Sequence, residues 1–232
     1  MSTQLTSRKF TTSFCVIAFT IAIINTAIKS EPNFLKLFLF AVCLISIIYA
    51  LKKTKFTIDD FGLNSGNLKQ IFTWSVVCVL SVVIPMTLAF LVNSDFFLDE
   101  RFNKTLSQTI VYAFFAIPVF TVFIEELIFR GFIWGFIRCY KTEKSATIIS
   151  SILFGFWHLL SAKNLDRSFL LNAGINSSQA LLLVVIGTVF ITTCAGVILC
   201  ELRRRTNSLW VPIAFHWSIN ATGVLLAYFA WN

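Results

Sequence analysis

Charged side chains are scarce in this sequence. Only 13% of its 232 residues are Asp, Glu, Lys or Arg, about half the share found in an average soluble domain, which excludes an ordinary water-soluble globule. Just 11 residues are acidic and just two are histidine, so any chemistry that needs titratable groups has few to draw on. Several catalytic signatures are missing as well: there is no G-x-S-x-G nucleophile elbow and no H-E-x-x-H zinc helix. The six cysteines contain no C-x-x-C pair. Cys15, Cys43, Cys78, Cys139, Cys194 and Cys200 all lie within or beside apolar runs, where a thiol serves as a small buried hydrophobe.

What is abundant is hydrocarbon. Hydrophobic residues make up 57% of the chain, with 26 Phe among them, and the mean hydropathy is +0.81. Long uncharged runs of this kind have lipid as their solvent. The pattern predicts an all-α fold, a polytopic membrane helix bundle of about seven to eight transmembrane helices, forming a single integral membrane domain over residues 1–232. The net charge of +8 does not imply nucleic acid, because the basic residues are scattered through short loops and not clustered on a polar surface. Such loops face anionic lipid, which makes membrane lipid the first expected partner.

Seven runs are long enough to span: Phe10–Ile28, Phe34–Leu51, Ile71–Val92, Leu106–Tyr140, Ser145–Ser161, Gln179–Cys200 and Leu209–Ala230. The first is too long for a signal-peptide core and lacks a clean cleavage site. Lys52 to Lys69 is polar and reads as a loop with a short interfacial segment. The run from Leu106 to Tyr140 would make about 50 Å of helix against a bilayer core of about 30 Å, so it must tilt, kink or break, and Pro118 is the natural place. With the N-terminus cytoplasmic, the inside segments hold twelve Lys and Arg and the outside segments five, a bias that favours this orientation.

Ionisable groups inside a span are costly and are functional candidates by default. The sequence FIEELIFRG places Glu125, Glu126 and Arg130 among apolar residues only. Glu126 and Arg130 are i,i+4 and share a helix face, whereas Glu125 lies about 100° round the helix. Glu126 is therefore expected to pair with Arg130, leaving Glu125 for another task; helix glue alone needs one acid and not two in succession. Both histidines also fall in apolar helices, His158 in FGFWH and His216 in HWSIN, with Asn220 one turn beyond His216. Counting along the helices puts Glu125 and His158 at matching depths, about 20 Å from one surface, with His216 at about 10 Å.

Two chemistries fit such a set. A carboxylate beside a histidine can hold and deprotonate water while a second histidine and an amide donate to a developing oxyanion. Alternatively, Glu125, His158 and His216 could ligate Zn²⁺ and leave a fourth position for water. Spacing alone does not choose, because the groups come from three helices.

EELIFRG, FGFWH and HWSIN, in this order on hydrophobic helices, resemble the EExxxR, FxxxH and HxxxN motifs of the CPBP family of intramembrane proteases. That family includes CaaX prenyl endopeptidases and bacteriocin-processing or self-immunity proteins. The likeness covers residues 118–221, a motif-bearing catalytic core, with no departure at the motif positions, and both histidines of the chain are used. It implies an intramembrane endopeptidase, in a bacterial cell membrane, acting on a membrane-associated peptide or protein substrate near the membrane surface. By that resemblance Glu125 and His158 would activate water, His216 and Asn220 would form the oxyanion hole, and Glu126 with Arg130 would support the site. The family is often described as metalloproteases; the water mechanism needs no cofactor and gives Asn220 and the second histidine a role, so Zn²⁺ is the alternative. Competing expectations from other classes are a self-immunity or scaffold protein acting by binding, and a small transporter or proton relay, for which inverted halves would be expected.

Overall fold

The computed structural model describes residues 58–63, 66–165 and 167–232. Helix is their only regular secondary structure, with no strand among them. In chain order the helices are α1 (Ile58–Phe61), α2 (Leu68–Val92), α3 (Leu106–Arg138), α4 (Glu143–Ala162), α5 (Ser168–Asn172), α6 (Ser177–Thr206) and α7 (Trp210–Trp231). Five of them, α2, α3, α4, α6 and α7, are long and apolar enough to cross a membrane, and each coincides with an expected span. The expected spans Phe10–Ile28 and Phe34–Leu51 lie outside the described residues.

Lipid as solvent explains which faces are exposed. On α2 only Ile71, Cys78 and Val82 are buried, while Phe72, Val77, Leu80, Ile84, Leu88 and Leu91 all face outward. In water that would be an apolar patch far beyond what a soluble monomer carries; in hydrocarbon it costs nothing. The same reasoning corrects one expectation for the cysteines. Cys78 and Cys200 are buried, but Cys139 and Cys194 are exposed, because a small apolar group gains nothing by leaving lipid. Cys15 and Cys43 lie outside the described residues.

Helix α3 does not break at Pro118. Thr105 and Gln108 close a reciprocal capping box at its start, and the chain then widens into π-helical turns over Tyr112–Val122. The ring of Pro118 removes one donor, and the wide turn reconnects the ladder: the N–H of Phe123 reaches back to the Pro118 carbonyl. A second π segment, Leu127–Ile133, follows a single α turn at Phe123–Glu126. Helix α7 starts with Pro212 in its first turn, where the lost N–H would have had no helical partner.

The chain forms two compact units. One comprises residues 58–135 and 198–232. Within it α7 packs along α2 and along the first part of α3, around Ala113, Ile117, Val122, Ala221 and Val224. The connection between α2 and α3 is a strap of two 3₁₀ turns, Ser94–Phe97 and Glu100–Phe102. Arg101 donates to Asp99 through Nε at 2.9 Å and Nη2 at 2.6 Å, and that hydrogen bond raises the guanidinium pKa above its ordinary value. Trp231 Nε1 donates to the Asp99 carbonyl at 3.1 Å, tying the end of α7 to the strap.

The other unit, among the described residues, holds 136–197. In it α4 and α6 meet through small residues. A Cβ on Gly155 would run into Thr193, and one on Gly196 would lie 2.9 Å from the Cα of Ser151. Close backbone approach of this kind drives helix association in lipid, where burial of hydrocarbon offers little.

Candidate active site

The single α turn Phe123–Glu126 between two π segments carries both glutamates. Glu126 is fully buried, and Glu125 and His216 are nearly so. Arg130, also fully buried, donates from Nη1 to Glu126 Oε1 at 3.0 Å, which is the pairing the i,i+4 spacing predicts. A carboxylate bonded to a guanidinium is ionised and can only accept.

The same oxygen has a second partner. His216 Nδ1 lies 2.8 Å from Glu126 Oε1, and since the carboxylate can only accept, the imidazole carries its proton on Nδ1 and donates it. The other ring nitrogen, Nε2, faces the neighbouring acid at 3.8 Å from Glu125 Oε2. Glu126 therefore fixes the ring plane of His216, and that orientation aims Nε2 at Glu125. Adjacent glutamates end up with separate duties: one orients the histidine, the other meets its working edge. The depth estimate was out for His216, because helices begin at different heights. Trp210, the first residue of α7, packs its ring 6.5 Å from Phe123, so α7 starts well below the level at which α3 ends and His216 reaches the glutamates only six residues in.

Asn220 is half-buried and makes no side-chain hydrogen bond among the described residues; it lines a cavity of about 410 Å³. It shares that lining with Thr121, four residues before Glu125. His158 belongs to the other unit, at an interruption of α4: the helix closes at Trp157, His158 caps it with φ −85° and ψ −4°, and helix resumes at Leu159. Its Nδ1 donates to the Phe154 carbonyl at 2.8 Å, and the Phe154 ring sits edge-on to it at 4.6 Å. The Phe of FGFWH thus supplies both an acceptor and a wall, which fix the tautomer and orientation of the histidine four residues later.

Among the described residues, no three His, Cys, Asp or Glu side chains are grouped as a metal would require. Of the zinc set that spacing left open, the unit around α3 and α7 brings Glu125 and His216 together, while the third member, His158, belongs to the other unit; no step below passes through a metal.

One buried charge escaped the sequence entirely. Arg203, counted among the loop residues that set topology, is fully buried at the end of α6. Its guanidinium stacks over Trp134 at 5.3 Å, donates to the Asp60 carbonyl at 3.1 Å and to Asn207 Oδ1 at 3.2 Å, and occupies the space a side chain on Gly62 would need. Gly62 has φ +76°, which favours glycine, and its carbonyl accepts from the N–H of Leu209 at 2.8 Å. The clamp holds α1, so that Phe61 stacks on Phe132 and fills the space left by Gly131, directly after Arg130. The stretch 52–69, which reads from sequence as a loop with a short interfacial segment, thus contains in α1 the wedge behind the turn Phe123–Glu126 of α3. The sole sequence signal was a glycine after two acids; the interior burial of Arg203 is masked by the two exposed arginines that follow it.

A family model described as type II CAAX prenyl endopeptidase Rce1-like matches residues 107–222. That is half the chain, and it contains Glu125, Glu126, Arg130, His158, His216 and Asn220. No curated protein matches the chain, nor does any solved structure.

Proposed function

The chain belongs to the Rce1-like family of type II CAAX prenyl endopeptidases, and we propose that it is an intramembrane endopeptidase that cuts a peptide bond near the membrane surface with water activated by Glu125. The observation that carries this reading is the shared oxygen of Glu126: it accepts from Arg130 and from His216 and so turns Nε2 of His216 towards Glu125. Helix glue has no use for a histidine held on one edge and presented on the other.

In this reading Glu125 acts as the base, and His216, which gives Nδ1–H to Glu126, presents a second N–H on Nε2 as the donor. Glu125 takes a proton from water, the hydroxide oxygen adds to the scissile carbonyl, and the oxyanion that forms is met by Nε2–H of His216 and the amide of Asn220. Collapse breaks the C–N bond, and the proton held by Glu125 passes to the leaving amine, which restores the carboxylate. His158 is assigned to the same water as a second acceptor through Nε2, a role that rests on the motif order. Glu126 and Arg130 support the site without touching substrate.

The membrane is the expected setting and a membrane-associated peptide or protein the expected substrate, with the N-terminus cytoplasmic in a bacterial membrane. The test is direct: purified full-length protein is incubated with candidate membrane peptides and new termini are mapped by mass spectrometry. New termini with the wild type and none with Glu125→Gln support the reading; identical termini from both overturn it.

A further inference from the structure

From the π-helical stretch of α3 and the ring that meets it we infer that Trp217 is a positioning residue: its indole N–H stands in for the backbone donor that Pro118 lacks, and so holds α3 at the bend that brings Glu125 and Glu126 to His216. The inference rests on the hydrolytic reading above only for what that bend is used for.

Register is the first argument. In the π turns over Tyr112–Val122 an N–H bonds the carbonyl five residues back, as the N–H of Phe123 does with Pro118. In that register residue 118 would serve the carbonyl of Ala113, but proline has no N–H to give. Ala113 is fully buried, so water does not make good the loss, and an unmet carbonyl at membrane depth is costly. Trp217 Nε1 donates to that same carbonyl at 2.9 Å. Its ring stands edge-on to Phe114 with centroids 5.7 Å apart and packs on the cluster of Ala113, Ile117, Val122, Ala221 and Val224, which aims the donor at the carbonyl that the proline strands.

Leverage is the second argument. His216 and Trp217 are consecutive on α7, yet they grip α3 on opposite sides of Pro118: Trp217 at Ala113, five residues before it, and His216 at Glu126, eight residues after it. Helix α7 therefore spans the interruption and sets the angle across it. Eight residues make a lever of about 12 Å, so a swing of about 10°, small beside proline kinks of about 20° or more, moves Glu126 by about 2 Å. A hydrogen bond of 2.8 Å does not survive such a shift. Removing the indole N–H frees α3 ahead of the proline while His216 and the glutamates keep their own chemistry, which is what separates Trp217 from the catalytic groups.

The test uses tag-free, full-length protein in nanodiscs with ¹⁵N-labelled histidine. The chain has just two histidines, so solid-state NMR resolves their ring nitrogens, each assigned by replacing the other residue. Trp217→Phe keeps a ring and removes the donor. Trp217→benzothienylalanine, with sulfur where the N–H was, does so with less change of shape and serves where Phe impairs folding. Either variant is expected to lower kcat for a membrane peptide by about 10- to 100-fold, the effect of a misplacement of about 1 Å, with KM little changed. The Nδ1 signal of His216 should move from its hydrogen-bonded position, while that of His158, bonded to Phe154 within its own helix, stays. Adding Pro118→Ala to Trp217→Phe returns an N–H to residue 118 and should restore both turnover and the His216 signal. Unchanged kcat and an unchanged His216 signal overturn the inference and leave hydrolysis standing. Movement of both histidine signals, or a Pro118→Ala, Trp217→Phe protein as impaired as Trp217→Phe, reduces Trp217 to packing and overturns it as well. A His216 signal that moves and is restored, in a protein that cleaves nothing, sustains the positioning role and overturns the hydrolytic reading.

Discussion

Replacing Arg130 by Ala removes the guanidinium that partners Glu126. Both side chains are fully buried, so the stranded carboxylate has no water to turn to, and breaking a buried pair from one side costs about 3 to 5 kcal/mol. For a chain of this length 1 kcal/mol corresponds to about 2 to 4 °C in Tm, so the expected fall is roughly 6 to 20 °C, read from tryptophan fluorescence of the purified protein. Activity should fall as well, because Glu126 Oε1 also orients His216. The double variant Glu126→Gln, Arg130→Met separates the two effects: with the stranded charge gone, much of the stability should return, while turnover stays low because a neutral amide holds His216 less firmly. Two results refute the reasoning. One is Arg130→Ala with the Tm and turnover of the wild type; the other is a double variant whose loss of stability equals the sum of the two single losses, which would mean that the pair is not coupled.

His216→Ala and Asn220→Ala should each lower turnover by about 10² to 10³, the usual effect of one oxyanion donor, with the folded yield of Asn220→Ala unchanged because its side chain bonds nothing among the described residues; a loss of less than threefold in both would remove the oxyanion assignment. Elemental analysis of active, purified protein should find no stoichiometric metal, and chelation should leave activity intact; zinc lost together with activity, and both restored by adding zinc, would establish the ligand-set alternative. Gly62→Ala should destabilise the protein measurably, since the new methyl meets the buried Arg203 guanidinium at a positive φ, whereas Gly174→Ala, at a similar φ but with open space around it, should cost only the strain of the backbone. Equal Tm shifts for the two glycine variants would show that the Arg203 clamp adds nothing.

How far the sequence reached depended on the range of the interaction. The five described spans were legible because lipid demands unbroken apolar helix, and Glu126 with Arg130 was legible because i,i+4 is a local geometry. The contact of His216 with Glu126 was not, since 90 residues separate them and no period links α3 to α7. Pro118 showed the same boundary from another side: its lost donor was predictable, but whether the helix breaks or widens depends on what packs against it, and here the π turns keep α3 continuous. Arg203 is the clearest failure. As one of three successive arginines after an apolar run it has the appearance of a solvated flank, and only the approach of Gly62 and Trp134, from elsewhere in the chain, makes it interior.

The central claim is that Glu125 is the base, and Glu125→Gln tests it most directly because the amide keeps the shape and removes the proton acceptor. Wild type and variant are purified in parallel, their Tm values compared, and cleavage of the same membrane peptide followed by mass spectrometry. The expected result is a folded variant with a Tm close to that of the wild type and turnover reduced to background, since positioning without a base leaves water unactivated. A folded Glu125→Gln protein that cleaves the peptide at the wild-type rate would contradict the account.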